Sequence, residues 1–67
     1  MVDREKLREK IEDSGMTLKA LGQKSGVEPY TITRRLNGDG EFTVTEMVGI
    51  SKALKLSKSE QRDIFLR

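Results

Sequence analysis

A phenol, a guanidinium and an amide follow one another at helical spacing in the middle of the chain, at Tyr30, Arg34 and Asn37. With 100° per residue, Ile32 at 0° and Leu36 at about 40° place the apolar side of such a helix near 20°. The three polar side chains then lie at about 160°, 200° and 140°, so all of them point away from that apolar side. The spacing predicts a solvent-facing surface with several hydrogen-bonding groups and no carboxylate.

This predicted surface suits the base edges in the major groove of DNA. Arg34 can donate two hydrogen bonds to one guanine, a contact that contributes roughly 1–3 kcal/mol of discrimination. Tyr30 and the methyl groups of Thr31 and Thr33 can contact thymine methyls or phosphates. The amide of Gly38, directly after the helix, is a candidate for holding a backbone phosphate. Because phosphate contacts set position and base contacts set sequence, both kinds of contact are available here.

The composition argues against several other kinds of site. The 67 residues contain no cysteine and no histidine, which removes disulfides, thiolate metal sites and the usual acid–base group at neutral pH. We therefore expect no catalytic residue, no metal site and no cofactor, and the chain is predicted not to be an enzyme. No apolar run approaches the ~18 residues of a membrane span, so no membrane partner is expected.

Positive charge is concentrated in the central third of the chain. Residues 17–38 contain four basic side chains and one acidic one, whereas the net charge is −1 before them and zero after them. A clustered basic excess is typical of proteins that bind polyanions, although an ordinary solvated face gives the same signal.

Five short helices and no strand are predicted from start and stop signals. Thr17 is predicted to cap the second helix, and Pro29 suits the first position of the third. The capping boxes Thr43-x-x-Glu46 and Ser57-x-x-Glu60 predict the starts of the fourth and fifth helices. The five helices are expected over approximately residues 3–13, 18–25, 28–36, 44–55 and 58–66.

The last two helices carry apolar residues whose partners are less obvious. A stripe of the fourth helix is predicted to face the core, and it comprises Val44, Met47, Val48, Ser51 and Leu54. In the fifth helix Ile64 is predicted to be core. Phe65 and Leu66 fit either packing on the first helix or a seam between two copies of the chain.

A small residue, a glycine turn and apolar anchors give residues 18–38 the pattern of a helix-turn-helix. Its landmarks are Leu18-x-x-Leu21-Gly22-x-x-x-Gly26-Val27 and Thr31-Ile32-x-x-x-Leu36-Asn37-Gly38. This stretch resembles the helix-turn-helix of the phage repressor and Cro family, and the resemblance extends over nearly the whole chain. The ending, with Phe42-Thr43-Val44-x-Glu46 and Leu54-x-Leu56-Ser57, is similar to short regulators from phages and prophages of low-GC bacteria.

The resemblance implies a compact, all-α, five-helix lambda-repressor-like domain over residues 1–67, with the motif at about 17–38. It implies a transcriptional regulator that binds double-stranded operator DNA, usually as a homodimer, with the third helix in the major groove. The implied base-reading residues are Pro29, Tyr30, Thr33 and Arg34. The implied phosphate-contacting residues are Thr17, Leu18, Lys19, Asn37 and Gly38.

Three further expectations accompany this interpretation. The protein would act in the cytoplasm of a bacterium or a phage-infected host cell. Because 67 residues leave no room for a ligand-sensing domain, regulation would come through concentration, operator affinity and competition, with no small-molecule effector. Gly22 stands where family members usually have alanine, which predicts a slightly looser second helix.

An alternative interpretation is a five-helix module whose main partner is a protein, such as an antitoxin or an adaptor. Salt dependence separates the two possibilities, because binding through phosphates weakens steeply as salt rises, whereas apolar docking does not.

Overall fold

Five α-helices form the part of the chain that the structure, a computed structural model, describes, namely residues 1–66. No strand occurs within these residues, and the predicted all-α, five-helix fold class is confirmed. The elements are α1 (Arg4–Ser14), α2 (Leu18–Ser25), α3 (Pro29–Leu36), α4 (Val44–Ala53) and α5 (Lys58–Phe65).

Polar side chains start four of the five helices, as the local sequence signals indicate. The Asp3 carboxylate accepts from Lys6 N–H at the start of α1, and Thr17 caps α2 in the same way. Both predicted capping boxes are present, one at the start of α4 and one at the start of α5. Helix α3 lacks a side-chain cap and begins with Pro29, which has no N–H and so leaves one fewer unpaired donor at the start of the helix.

The predicted helix ends agree with the observed ends to within two residues. Helix α1 begins at Arg4 because Asp3 is the cap rather than the first turn. Helix α4 ends at Ala53, not at Lys55, because Lys55 adopts a left-handed backbone with φ of 55°. The N–H of Leu56 then donates to Ser51 O at 2.9 Å, which closes the helix.

The core draws one fully buried side chain from each helix, and these five are Leu7, Leu21, Ile32, Ile50 and Ile64. Phe42, in the loop after α3, packs edge-on against Phe65 of α5 with ring centroids 5.8 Å apart. Because every helix buries a side chain in the same cluster, α3 is held on one side by the rest of the molecule.

The predicted core stripe of α4 is wrong for two of its residues. Val44 is 71% exposed and Val48 is 49% exposed, whereas Ser51 is buried as predicted. The reason lies at Gly49, where a Cβ atom would collide with the carbonyl oxygen of Ser25 at the end of α2. This close approach turns Gly49 and its neighbour Ile50 inward and leaves the two valines outside.

The three apolar residues at the end of α5 differ in burial. Ile64 is fully buried as predicted, and its carbonyl accepts from Asp3 N–H at 2.7 Å. Phe65 is also buried, but Leu66 lies beyond the helix and is largely exposed. An apolar groove therefore lies between α4 and α5, and its lining includes Val44, Met47, Val48, Phe65 and Leu66.

Candidate nucleic-acid interface

Two glycines shape the corner between α2 and α3, one within α2 and one in the turn that follows it. Gly26 adopts the left-handed conformation at φ of 76°, and its N–H donates to Gly22 O at 2.9 Å. A Cβ at Gly22 would lie 2.8 Å from Val27 O and 2.9 Å from two ring carbons of Pro29. The missing side chain therefore lets the start of α3 approach α2 closely, so Gly22 marks a tight contact rather than a loosened helix.

Helix α3 divides into an apolar face and a polar face as the angular spacing predicts. Ile32 and Leu36 are buried, whereas Tyr30 is 68% exposed and the Arg34 side chain is 43% exposed. Asn37, the C-terminal cap, is exposed as well. The Arg34 guanidinium lies 5.8 Å from the centroid of the Tyr30 ring, close enough for a cation–π interaction. The predicted orientation of these three polar side chains is confirmed.

The expectation that this surface carries no carboxylate is wrong. Asp39 Oδ2 accepts from Arg34 Nε at 3.1 Å, and the two side chains form an exposed ion pair. The hydrogen bond to Asp39, followed by Coulomb attraction to the same carboxylate, raises the pKa of Arg34. Helical spacing could not reveal this contact, because Asp39 lies beyond the end of α3.

The other two residues implied to read bases are less available than Tyr30 and Arg34. Pro29 is half-buried, since its ring packs over Gly22. Thr33 is also half-buried, and its hydroxyl donates to Pro29 O at 3.2 Å. Each of these two side chains is therefore only partly accessible to DNA.

The residues implied to contact phosphates fall into two groups. Thr17, Leu18 and Lys19 are exposed together at the start of α2, where the Thr17 hydroxyl accepts from Ala20 N–H at 3.1 Å. Asn37 and Gly38 are exposed at the opposite end of the motif, just after α3. The N–H of Gly38 donates to Arg35 O at 3.1 Å, so that amide is already engaged within the chain.

Two arginines of α1 reach the end of α3 and were missed by the sequence reasoning. Arg8 Nη2 donates to Leu36 O at 2.7 Å and to Asn37 Oδ1 at 3.0 Å. Arg4 Nε donates to Arg35 O at 2.8 Å. Arg4 and Arg8 are four residues apart, and this spacing in the sequence already predicts that they share one face of α1. They add positive charge beside Asn37 and satisfy carbonyl groups at the end of α3.

Other kinds of site find little support among residues 1–66. No cluster of three or more aspartates or glutamates in this part of the chain is arranged to hold a metal ion. None of the helices described is long and apolar enough to pass through a lipid bilayer.

A comparison with known protein families identifies the family to which the chain belongs. A family model described as helix-turn-helix matches residues 7–61, which is most of the chain. The chain therefore belongs to this helix-turn-helix family, and in general terms it is a DNA-binding transcription regulator. Searches of curated proteins and of solved structures found no match.

Proposed function

We propose that this protein is a sequence-specific regulator of the repressor/Cro type, which reads operator DNA through the major groove with α3. The observation that supports this proposal is the division of α3 into two faces. Ile32 and Leu36 fix one face in the core, while Tyr30 and Arg34 extend from the other into solvent. A helix that projects in this way has the width that the major groove accepts.

The proposed base-reading residues differ in the contacts they offer. Arg34 donates to the O6 and N7 atoms of a guanine, the commonest specific contact of arginine with DNA. Tyr30 contacts a neighbouring base or phosphate with the exposed part of its ring. Pro29 and Thr33, which are half-buried, contribute apolar surface at the edge of the contact.

The proposed phosphate contacts lie at the two ends of the motif. At the start of α2, Thr17, Leu18 and Lys19 offer a hydroxyl, a helix-terminal N–H and an ammonium group. After α3, Asn37 approaches the backbone together with Arg8, which holds the Asn37 amide oxygen, while Gly38 lies alongside with its N–H engaged by Arg35 O. Such contacts at both ends would fix α3 along the groove.

We further propose that the chain acts in the cytoplasm as a homodimer on a two-fold symmetric operator, with half-sites about 34 Å apart. One short helix reads only a few base pairs, so two copies are needed for a useful specificity ratio. The groove between α4 and α5 supplies the surface that joins the copies, because Val44, Val48 and Leu66 are exposed there. Binding of this kind regulates by occupancy and needs neither a cofactor nor a small-molecule effector.

The salt dependence of affinity for double-stranded DNA tests the proposed mode of binding. Fluorescence anisotropy on a labelled duplex, between about 50 and 200 mM salt, gives the slope of affinity against salt concentration. We expect a steep loss of affinity as salt rises. A Lys19→Gln variant should show a slope lower by about one, because each neutralised phosphate contributes about 0.9.

A Lys6→Gln variant is the matched control for this experiment. Lys6 pairs with Asp63 of α5 at 3.5 Å, on the side of α1 that faces α5. Lys6→Gln removes the same charge as Lys19→Gln and should leave the slope of affinity against salt concentration unchanged. An affinity that is independent of salt would contradict the proposal and favour a protein-interaction module.

A further inference from the structure

Asp39 accepts a hydrogen bond from one of the N–H donors of Arg34, the arginine proposed to read a base. Its Oδ2 atom accepts from Arg34 Nε at 3.1 Å. A guanidinium has five N–H donors in a fixed fork, and the two terminal nitrogens can still donate as a pair when Nε is engaged. The contact therefore holds the side chain while leaving the end that can bind a guanine.

Asp39 is itself held by the end of α3. Its backbone N–H donates to Arg34 O at 2.9 Å, and its carbonyl accepts from Arg35 Nη1 at 3.2 Å. The glycines on either side, Gly38 and Gly40, both have positive φ, at 85° and 91°. This backbone conformation, which favours glycine, turns the chain sharply on both sides of Asp39. The carboxylate thus has a fixed anchor rather than the mobility of an open loop.

Arg35 extends the same set of contacts into the molecule. Its Nε donates to Glu46 Oε1 at 3.4 Å, and both side chains are mostly buried. Glu46 also accepts from Thr43 N–H at 2.9 Å as part of the capping box of α4. The position of Asp39 is therefore linked through Arg35 to the start of α4.

We propose that Asp39 is a specificity-determining positioning residue, which directs the terminal nitrogens of Arg34 toward one guanine. This inference rests on the proposed function, since it assumes that Arg34 reads a base. An arginine without such a contact has many rotamers of similar energy and can donate to phosphates of any sequence. The Asp39 carboxylate also repels the phosphate backbone. It should therefore lower affinity for all duplexes while raising discrimination at one base pair.

The test measures discrimination, defined as the ratio of Kd values for two duplexes that differ only at the base pair read by Arg34. That base pair is the one whose preference disappears in an Arg34→Ala variant during selection from random duplexes. We expect Asp39→Ala to reduce discrimination by about fivefold or more. About fivefold is the smallest discrimination that one bidentate contact to a base usually contributes. Asp39→Asn, which keeps an acceptor oxygen, should retain part of the discrimination between the two duplexes.

Glu41→Gln is the matched control because it removes the same charge from the same loop. Glu41 lies 3.8 Å from Arg4, and its side chain is largely exposed. This variant should bind all duplexes slightly more tightly with unchanged discrimination. If Asp39→Ala behaves in the same way, the carboxylate acts only by general repulsion, and the inference is overturned.

Combining the variants separates this inference from the proposed function. In an Arg34→Ala background, Asp39→Ala should have no further effect on discrimination. Should Arg34→Ala itself leave every base preference unchanged, the proposed reading by α3 fails. Should Arg34→Ala remove a preference that Asp39→Ala leaves intact, only the role of Asp39 fails. Unfolding curves of each variant confirm that the compared proteins are folded.

Discussion

Gly22 and Pro29 constrain each other at the corner of the motif. A glycine within a helix costs about 1 kcal/mol relative to alanine, so its presence in α2 needs a structural reason. That reason is the close approach of the Pro29 ring and of Val27 O to the position that a Cβ atom of residue 22 would occupy. The start of α3, and with it the position of Tyr30, depends on this contact.

We expect Gly22→Ala to destabilise the protein by about 1–3 kcal/mol, because overpacking outweighs the gain in helix propensity. Urea unfolding measures the change. Gln23→Ala, at an exposed position of the same helix, reports the effect of propensity alone and should be close to neutral. A Gly22→Ala variant that is more stable than the wild type would show that the contact is not tight.

Individual site residues were predictable where one helix defines their environment. The orientation of Tyr30 and Arg34 follows from their angular distance from Ile32, which requires only that α3 be a helix. The contact between Arg34 and Asp39 depends on the loop conformation at Gly38, which spacing does not specify. The reach of Arg8 to Asn37 depends on how α1 packs against α3.

Helices α1 and α5 are joined by an ion pair between Lys10 and Glu60. The hydrogen bond from Lys10, followed by that from the Ser57 backbone N–H, lowers the pKa of Glu60 to about 2. A carboxylate with a depressed pKa stabilises the folded state above its ordinary pKa, and this stabilisation is lost as the pH falls toward the depressed value. Both side chains are about one-third exposed, so the contribution is modest.

We expect Glu60→Gln to remove part of the loss of stability between about pH 4.5 and 2, the interval between the ordinary and folded pKa of this group. The amide oxygen can still accept from Ser57 N–H, so the capping box survives. Urea unfolding at a series of pH values measures the effect. Glu12→Gln, at an exposed position of α1, is the control. Identical pH profiles for wild type and Glu60→Gln would contradict a role for the pair.

The existence of each helix was more predictable than its rotation. Thr43 and Ser57 mark the starts of α4 and α5 because capping is local chemistry. The rotation of α4 is set by the contact between Gly49 and Ser25, which lie far apart in sequence. For this reason Val48 was predicted to be core but is half-exposed.

The polar face of α3 and the apolar groove between α4 and α5 are formed by different residues. Tyr30 and Arg34 are exposed on α3, whereas exposed Val44 and Val48 line the groove. A regulator that dimerises on DNA needs two separate surfaces, one for the duplex and one for the second copy. Of the basic residues among 17–38, Lys19 and Arg34 are exposed at the proposed DNA surface, whereas Arg35 is mostly buried against Glu46. Val44 and Val48 lie at the surface proposed for the second copy.

If the groove joins two copies as proposed, we expect Val48→Lys to weaken binding to a duplex with two half-sites by about tenfold or more, because it places a charge in the proposed seam. Binding to a single half-site should not change. Sedimentation of the protein with each duplex gives the stoichiometry. Thr45→Lys, at another exposed position of α4, adds the same charge and is the control for a general effect of charge. Equal losses on both duplexes would show that the groove does not join two copies.

Reading of DNA sequence by the exposed face of α3 is the proposal on which the others depend. Selection of bound duplexes from a random pool, carried out in parallel with the wild type and Arg34→Ala, tests whether α3 reads sequence. We expect the wild type to enrich a defined site and the variant to lose the preference for guanine at one base pair of each half-site, while the flanking preferences remain. Identical enriched sites for both proteins would contradict the claim, and so would the absence of any enriched site for the wild type.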